Sequence, residues 1–126
     1  MKIKLILACS LLLALNANAQ DACSYIAGGA IIANDGKYLG KAASEYDSES
    51  VLNKYGHFGS EYSSDSIWNK YGSYGSEYSS NSPFNPYSNN PPVIVKNGRA
   101  VAYLSVNEYL GKATINPYYI KSCHFY

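Results

Sequence analysis

Apolar and polar residues are patterned as strands in two parts of the chain. Ala30-Ile-Ile-Ala33 and Lys37-Tyr-Leu-Gly40 flank Asn34-Asp35-Gly36, and apolar runs from Val93 to Val106 flank Asn97-Gly98. An Asp-Gly or Asn-Gly pair between apolar runs predicts a hairpin with a type I′ turn, whose two central residues both need positive φ. Hairpins are therefore expected over 30–40 and 93–106. In the second, counting outward from the turn pairs Lys96 with Arg99, Val95 with Ala100, Ile94 with Val101 and Val93 with Ala102. Val93, Val95, Ala100, Ala102, Leu104 and Val106 then share the core face. The two hairpins are alike enough to belong to one sheet or to pack on each other. Residues 88–92, with Pro91 and Pro92, read as a linker, and 113–117 and 118–120 as extended pieces.

The chain between the hairpins repeats itself. Ser-Glu-Tyr recurs at 44–46, 60–62 and 76–78, and Asn-x-Tyr at 53–55, 69–71 and 85–87, a period of 16 residues over 40–87. Known helical repeat units are about twice as long. Each copy reads as an extended piece and one helical turn. In the middle copy Ser63, Ser64 and Asp65 are N-cap types. Ile67 and Tyr71 would share a helical face, and Gly72 would end the turn in the left-handed region. Pro83 and Pro86 in the third copy predict an irregular capping unit. Tyr46, Tyr62 and Tyr78 are expected to pack in the core or between repeats. The less regular aromatics Phe58, Trp68 and Tyr74 are the candidate ligand contacts.

The first 19 residues change the compartment. Lys2 and Lys4 precede an apolar stretch that ends at Ala17-Asn-Ala19, the pattern of a secretory signal peptide. Cys9 lies too early in it for a lipoprotein cleavage site. The mature chain, 20–126, is read as a single secreted domain, periplasmic or extracellular. It has no later apolar run near the ~20 residues a transmembrane helix needs. The 10 basic and 9 acidic residues fall to 8 and 9 when Lys2 and Lys4 leave with the leader, a formal charge of −1. Without a basic cluster, nucleic acid is excluded as a partner. Cys23 and Cys123 remain near the two ends and are expected to form a disulfide.

Candidate chemistry is sparse. His57 occupies a repeat position held by Lys41 and Ser73 in the other copies, and His124 lies in the tail. No metal-ligand spacing is present, so neither metal nor cofactor is implied. Asp35 beside Gly36 reads as a turn residue. Asp47, Glu49 and Asp65 read as caps and surface residues rather than calcium ligands. Glu45, Glu61 and Glu77 recur as a solvated row. A Cys123/His124 nucleophile pair has no framing motif.

Tyr71-Gly-x-Tyr-Gly-Ser-x-Tyr-Ser-Ser-x-Ser, the Ser-Ile-Trp-Asn of the middle copy, and Pro-Pro-Val-Ile-Val followed by Asn-Gly and Tyr-Leu-Ser-Val-Asn107 resemble a family of small exported bacterial proteins. Asp35-Gly36-Lys-Tyr-Leu-Gly40 fits the same pattern. The resemblance spans 35–107 and implies export. The repeat block also resembles tails appended to larger secreted proteins, which implies an accessory role; neither likeness supplies catalytic residues.

These readings converge on a small, mainly β domain in which two hairpins flank a Tyr/Ser/Gly/Asn repeat array. The expected role is a non-catalytic binding or envelope-associated module, its partner a cell-envelope polysaccharide or a protein. The alternatives are a small hydrolase using Glu61 or His57, and a self-assembling structural protein.

Overall fold

A computed structural model describes residues 22–111 and 113–126. The leader and Cys9 lie outside the described residues. Helix α1 covers 22–26. Five strands follow: β1 Ala30–Ile32, β2 Tyr38–Lys41, β3 Val93–Lys96, β4 Arg99–Leu104 and β5 Thr114–Ile115. Helix α2, Pro117–Ile120, lies beyond them. The strands form one mixed sheet in the order β2-β1-β3-β4-β5, with β5 parallel to β4 and the other pairs antiparallel. Both expected hairpins are present and share this sheet through β1 and β3. The fold is mainly β, with only short helical turns.

The turn at Asn97-Gly98 has positive φ at both residues, 53° and 73°, as a type I′ turn requires. Lys96–Arg99 and Val95–Ala100 pair as expected. Beyond them a bulge shifts the register, so Ile94 faces Ala102 and Val93 faces Tyr103. The extra residue on β4 changes which β3 side chains lie opposite Ala102 and Leu104, which keep the expected core face, so β3 turns Ile94 rather than Val93 and Val95 inward. The core side therefore carries Ile94, Ala102 and Leu104, while Ala100 is exposed and Val93 and Val95 are half-buried.

The first hairpin also departs from its expected turn. Gly36 N–H donates to Ala33 O and Ala33 N–H to Lys37 O. Only Gly36 has positive φ there. This is a three-residue loop with a left-handed glycine rather than a type I′ pair. Asp35 does serve the turn, its carboxylate accepting from Lys37 N–H.

Beyond Lys41, where β2 ends, the array contains neither helices nor named strands. It is a chain of β-turns, each closing from residue i+3 to residue i. Asp47 N–H donates to Ser44 O, Ser50 to Asp47, Asn53 to Ser50 and Gly56 to Asn53, and the next copy repeats the series from Ser63→Ser60 to Gly72→Asn69. In most turns the first side chain also accepts from the N–H two residues on. Ser44 accepts from Tyr46, Ser50 from Leu52, Asn53 from Tyr55, Ser66 from Trp68, Asn69 from Tyr71 and Ser82 from Phe84. Ser, Asn and Asp make this local bond readily, which is why they favour turns over helices. One copy is thus five triplets plus one residue: Ser60-Glu-Tyr, Ser63-Ser-Asp, Ser66-Ile-Trp, Asn69-Lys-Tyr, Gly72-Ser-Tyr and Gly75.

Each triplet has its own exposure. Only Ser-Ile-Trp and its equivalents turn inward: Ser50, Ser66, Ser82, Val51 and Ile67 are fully buried. Among the described residues no buried side-chain polar atom lacks a partner. Successive coils pack on each other. Trp68 Nε1–H donates to Val51 O at 2.6 Å, and the Trp68 and Phe84 rings, one repeat apart, lie 5.7 Å apart.

Several expectations about the repeats are corrected by this geometry. Ile67 and Tyr71 do not share a face; Ile67 is buried and Tyr71 is 88% exposed. Gly72 is absent from the left-handed glycines. Pro83 and Pro86 do not make the third copy irregular, because each follows the first residue of a triplet, the β-turn position that proline favours. Residues 118–120 are helical, not extended, since Asn116 accepts from Tyr118 N–H and Pro117 opens the helix. The array ends against the sheet: Val106 N–H donates to Pro83 O and Asn107 Nδ2 to Ser88 O.

Ile26 from α1, Ile31, Leu39, Ile94, Leu104 and Ile120 from α2 form the core together with Val51 and Ile67 from the array. Burying each such side chain contributes roughly 1.5–3 kcal/mol. The Cys23–Cys123 disulfide, Cα–Cα 5.6 Å across 100 residues, joins α1 to the segment after α2 beside this core.

Two outcomes follow for stability. Gly59→Ala and Gly75→Ala would each drive a Cβ into the backbone carbonyl of Asn53 or Asn69; each is expected to cost about 1–3 kcal/mol by chemical denaturation, against ~0.5 or less for Ser64→Ala. Reduction of Cys23–Cys123 is expected to remove up to about 4–5 kcal/mol, read as a drop in denaturation midpoint with reductant.

Candidate binding grooves

The exposed large hydrophobic side chains of the described residues are all tyrosines. Tyr46, Tyr62 and Tyr78 are 88, 85 and 85% exposed, and Tyr55, Tyr71 and Tyr87 are 98, 88 and 86%. The packing role expected for Tyr46, Tyr62 and Tyr78 is therefore overturned. Each of these six is the third residue of a triplet whose first residue is Ser or Asn, and the turn projects it outward. The fully buried residues of the coil interior are Ser50, Ser66 and Ser82 with Val51, Ile67 and Pro83 instead.

The three candidate ligand contacts separate into two places. Phe58 and Tyr74 fasten the array to the first hairpin. Phe58 stacks edge-on against Tyr38 with centroids 5.0 Å apart, and Tyr74 Oη donates to Asp35 at 2.8 Å. Tyr38 Oη donates to Glu49 at 2.7 Å. Burial and the Glu49 carboxylate hold the Tyr38 phenol well above its ordinary range. The Asp35 hydrogen bond does the same for Tyr74. His57 Nε2 lies 2.6 Å from Asp65 Oδ2, and Lys37 Nζ lies 3.6 Å from Asp65 Oδ1. The His57 hydrogen bond holds the Asp65 carboxyl below its usual range despite partial burial, and the Lys37 charge adds to it.

Trp68 belongs to the other place. It is half-buried beneath α2, with Lys121 Nζ 4.2 Å from the ring centroid and Phe84 beside it. Phe84 in turn meets Tyr118 edge-on at 5.1 Å. Two open grooves meet at Trp68. The first runs between Tyr46 and Tyr62, with Glu45, Lys54 and Glu61, and the tail residues Phe125 and Tyr126 form its far wall. The second runs between Tyr71 and Tyr78, with Glu61, Lys70 and Glu77. Hydrogen bonding to Glu61 and Glu77 raises the Tyr62 and Tyr78 phenols, so the Ser-Glu-Tyr corners of the second and third copies present a phenol coupled to a carboxylate.

The groove residues were missed from sequence because the 16-residue period hides a three-residue one. The small polar residue that opens nearly every triplet was the available signal. It fixes which side chains point outward.

Glu61 lines both grooves, whereas His57 is engaged by Asp65 at the hairpin cluster, so the two residues weighed for hydrolysis serve different places. Cys123 is held in the disulfide and is not a free thiol beside His124. Among the described residues no three His, Cys, Asp or Glu side chains are grouped to hold a metal, and no helix is long and apolar enough to cross a membrane. Comparisons with family models, curated proteins and solved structures give no match.

The Asp65 cluster makes a pH prediction. A carboxyl whose folded pKa is depressed stabilises the fold above its unfolded pKa, and that stability is lost as pH falls through the folded value. Asp65→Asn is therefore expected to flatten the acid limb of the stability–pH curve below the ordinary carboxylate range. Denaturation midpoints measured across that range check it; parallel curves for both proteins would show that the pair carries no coupling.

Proposed function

We propose that the protein is a non-catalytic binding module that recognises a polysaccharide of the cell envelope through the Ser-Glu-Tyr face of its repeat array. The observation that supports this reading is the exposed tyrosine row, held at fixed positions by turn hydrogen bonds and interleaved with Glu, Ser and Lys. Sugar rings present C–H faces and a rim of hydroxyls. An aromatic face with its negative quadrupole suits the first, and the carboxylates, hydroxyls and ammonium groups suit the second. Tyr also loses few torsions on binding, and these turns already order its backbone. A protein partner fits less well, since protein interfaces are depleted of charge at their cores, and here Glu and Lys stand between the rings with no exposed large aliphatic side chain beside them. The disulfide is consistent with an oxidising compartment outside the cytoplasm, where such polymers lie.

Co-sedimentation of the oxidised protein with a panel of insoluble envelope and neutral polysaccharides tests the reading. Retention on at least one polymer is expected. The Tyr62→Ala/Tyr78→Ala double variant, its fold checked by circular dichroism, is expected to lose about four-fifths or more of it, taking each lost aromatic contact as ~0.5–1.5 kcal/mol. Tyr55→Ala should retain binding. Absence of retention on every polymer, or retention unchanged in the double variant, would overturn it.

A further inference from the structure

The two grooves share a set of side chains related by the repeat. A shift of 16 residues carries Lys54 onto Lys70, Ser60 onto Ser76, Glu61 onto Glu77 and Tyr62 onto Tyr78. Each pair contributes its first member to the first groove and its second to the second groove. The aromatic floor shifts likewise, from Trp68 in the first groove to Phe84 in the second. Glu61, Trp68 and Lys121 line both, so the grooves are continuous and share their central residues.

Resting on the reading above, we propose that the grooves are consecutive subsites of one track, and that the ligand is a linear, uncharged polysaccharide whose repeating unit is matched to one coil of the array. Three observations carry this. Equivalent side chains on successive coils come within 5.7 Å at Trp68 and Phe84, a step comparable to the advance of one β-linked hexose along its chain. A ligand that repeats chemically then meets the same Lys, Glu and Tyr at each step. The track's charges balance: Glu45, Glu61 and Glu77 against Lys54, Lys70 and Lys121. A polyanion would meet three carboxylates and a polycation three ammonium groups, whereas a neutral chain uses both kinds as hydrogen-bond partners. Lys121 lies over the Trp68 face at the junction. A sugar entering either groove reaches this ammonium, which couples the two subsites through one residue.

The test is a calorimetric titration of the oxidised protein with β-1,4-linked N-acetylglucosamine and glucose oligomers from disaccharide to hexasaccharide, with galacturonate oligomers as the charged series. Affinity for a neutral series is expected to climb tenfold or more between the disaccharide and a chain long enough to occupy both grooves, as for linked sites, and then to level off. Glu61→Gln should weaken the long chain more than the disaccharide, because both subsites use it. Equal affinity at all lengths, or a preference for the charged series, would overturn the track while leaving the polysaccharide reading standing. If no soluble oligomer binds although insoluble polymers retain the protein, the subsites do not recognise chain units and the track is overturned. If the polymers also fail to retain it, both readings fall together.

Discussion

The array depends on one local hydrogen bond, repeated. A Ser, Asn or Asp oxygen accepts from the N–H two residues on while its own carbonyl accepts from the N–H three residues on. Backbone groups are otherwise satisfied by a helix or a sheet ladder. Here more than forty residues are ordered with neither, because each turn satisfies its own groups and the first side chain does part of the work. Such a bond contributes only about 1 kcal/mol net. Its importance lies in repetition and burial: at Ser50, Ser66 and Ser82 the hydroxyl sits in the interior, where an unpartnered one would cost more than the bond itself gains. The small side chain also lets successive turns approach closely. Gly59 and Gly75 extend that logic to positions where even a Cβ would strike the carbonyl of a preceding turn.

The sheet finishes what the turns cannot do alone. A string of β-turns has only one inward-facing triplet per copy, too little to make a core. The hairpins, α1 and α2 supply Ile31, Leu39, Ile94, Leu104, Ile26 and Ile120 against which Val51 and Ile67 are buried. The array is fixed at both ends, at its start by Lys41, whose N–H donates to Glu49 O and whose carbonyl accepts from Val51 N–H, and at its finish by Val106 and Asn107. The disulfide closes the ring of elements from α1 to the tail. The tail that it holds in place also walls the first groove.

Much of the sheet was legible because hairpins announce themselves locally. Asn97-Gly98 fixed a turn, and the pairs next to it followed. The register beyond them was not legible, since a bulge depends on which face the rest of the protein covers, and Ile94 is buried in one cluster with Ile26 of α1 and Val51 and Ile67 of the array. The repeats were legible as a period but not as a structure. Ser63-Ser-Asp65 and the following Ile67 read equally as a helix cap and as successive turns. What separates the two is the phase of small polar residues at every third position, sustained through Asn and Gly. Tyr46, Tyr62 and Tyr78 were misread for the same reason: large aromatics are buried on average, but the third place of a Ser-Glu-Tyr turn points away from the coil, whereas the third place of the Ser66-Ile-Trp68 turn packs inward.

The same phase explains why a site could not be read one residue at a time. Irregularity in the repeat drew attention to Phe58, Trp68 and Tyr74, yet Phe58 and Tyr74 vary between copies because they meet different parts of the first hairpin. Adaptation to a neighbour breaks a repeat, whereas a surface that meets a repeating ligand is under the opposite constraint and must keep its chemistry from copy to copy. Ser-Glu-Tyr is unchanged in all three copies although its Tyr contributes little to the core and its Glu none. Turn formation accounts for the Ser alone. Packing does not account for the exposed Glu and Tyr of all three copies, nor for the equally exposed Tyr55, Tyr71 and Tyr87; a ligand read coil by coil, as proposed above, would constrain the Ser-Glu-Tyr set.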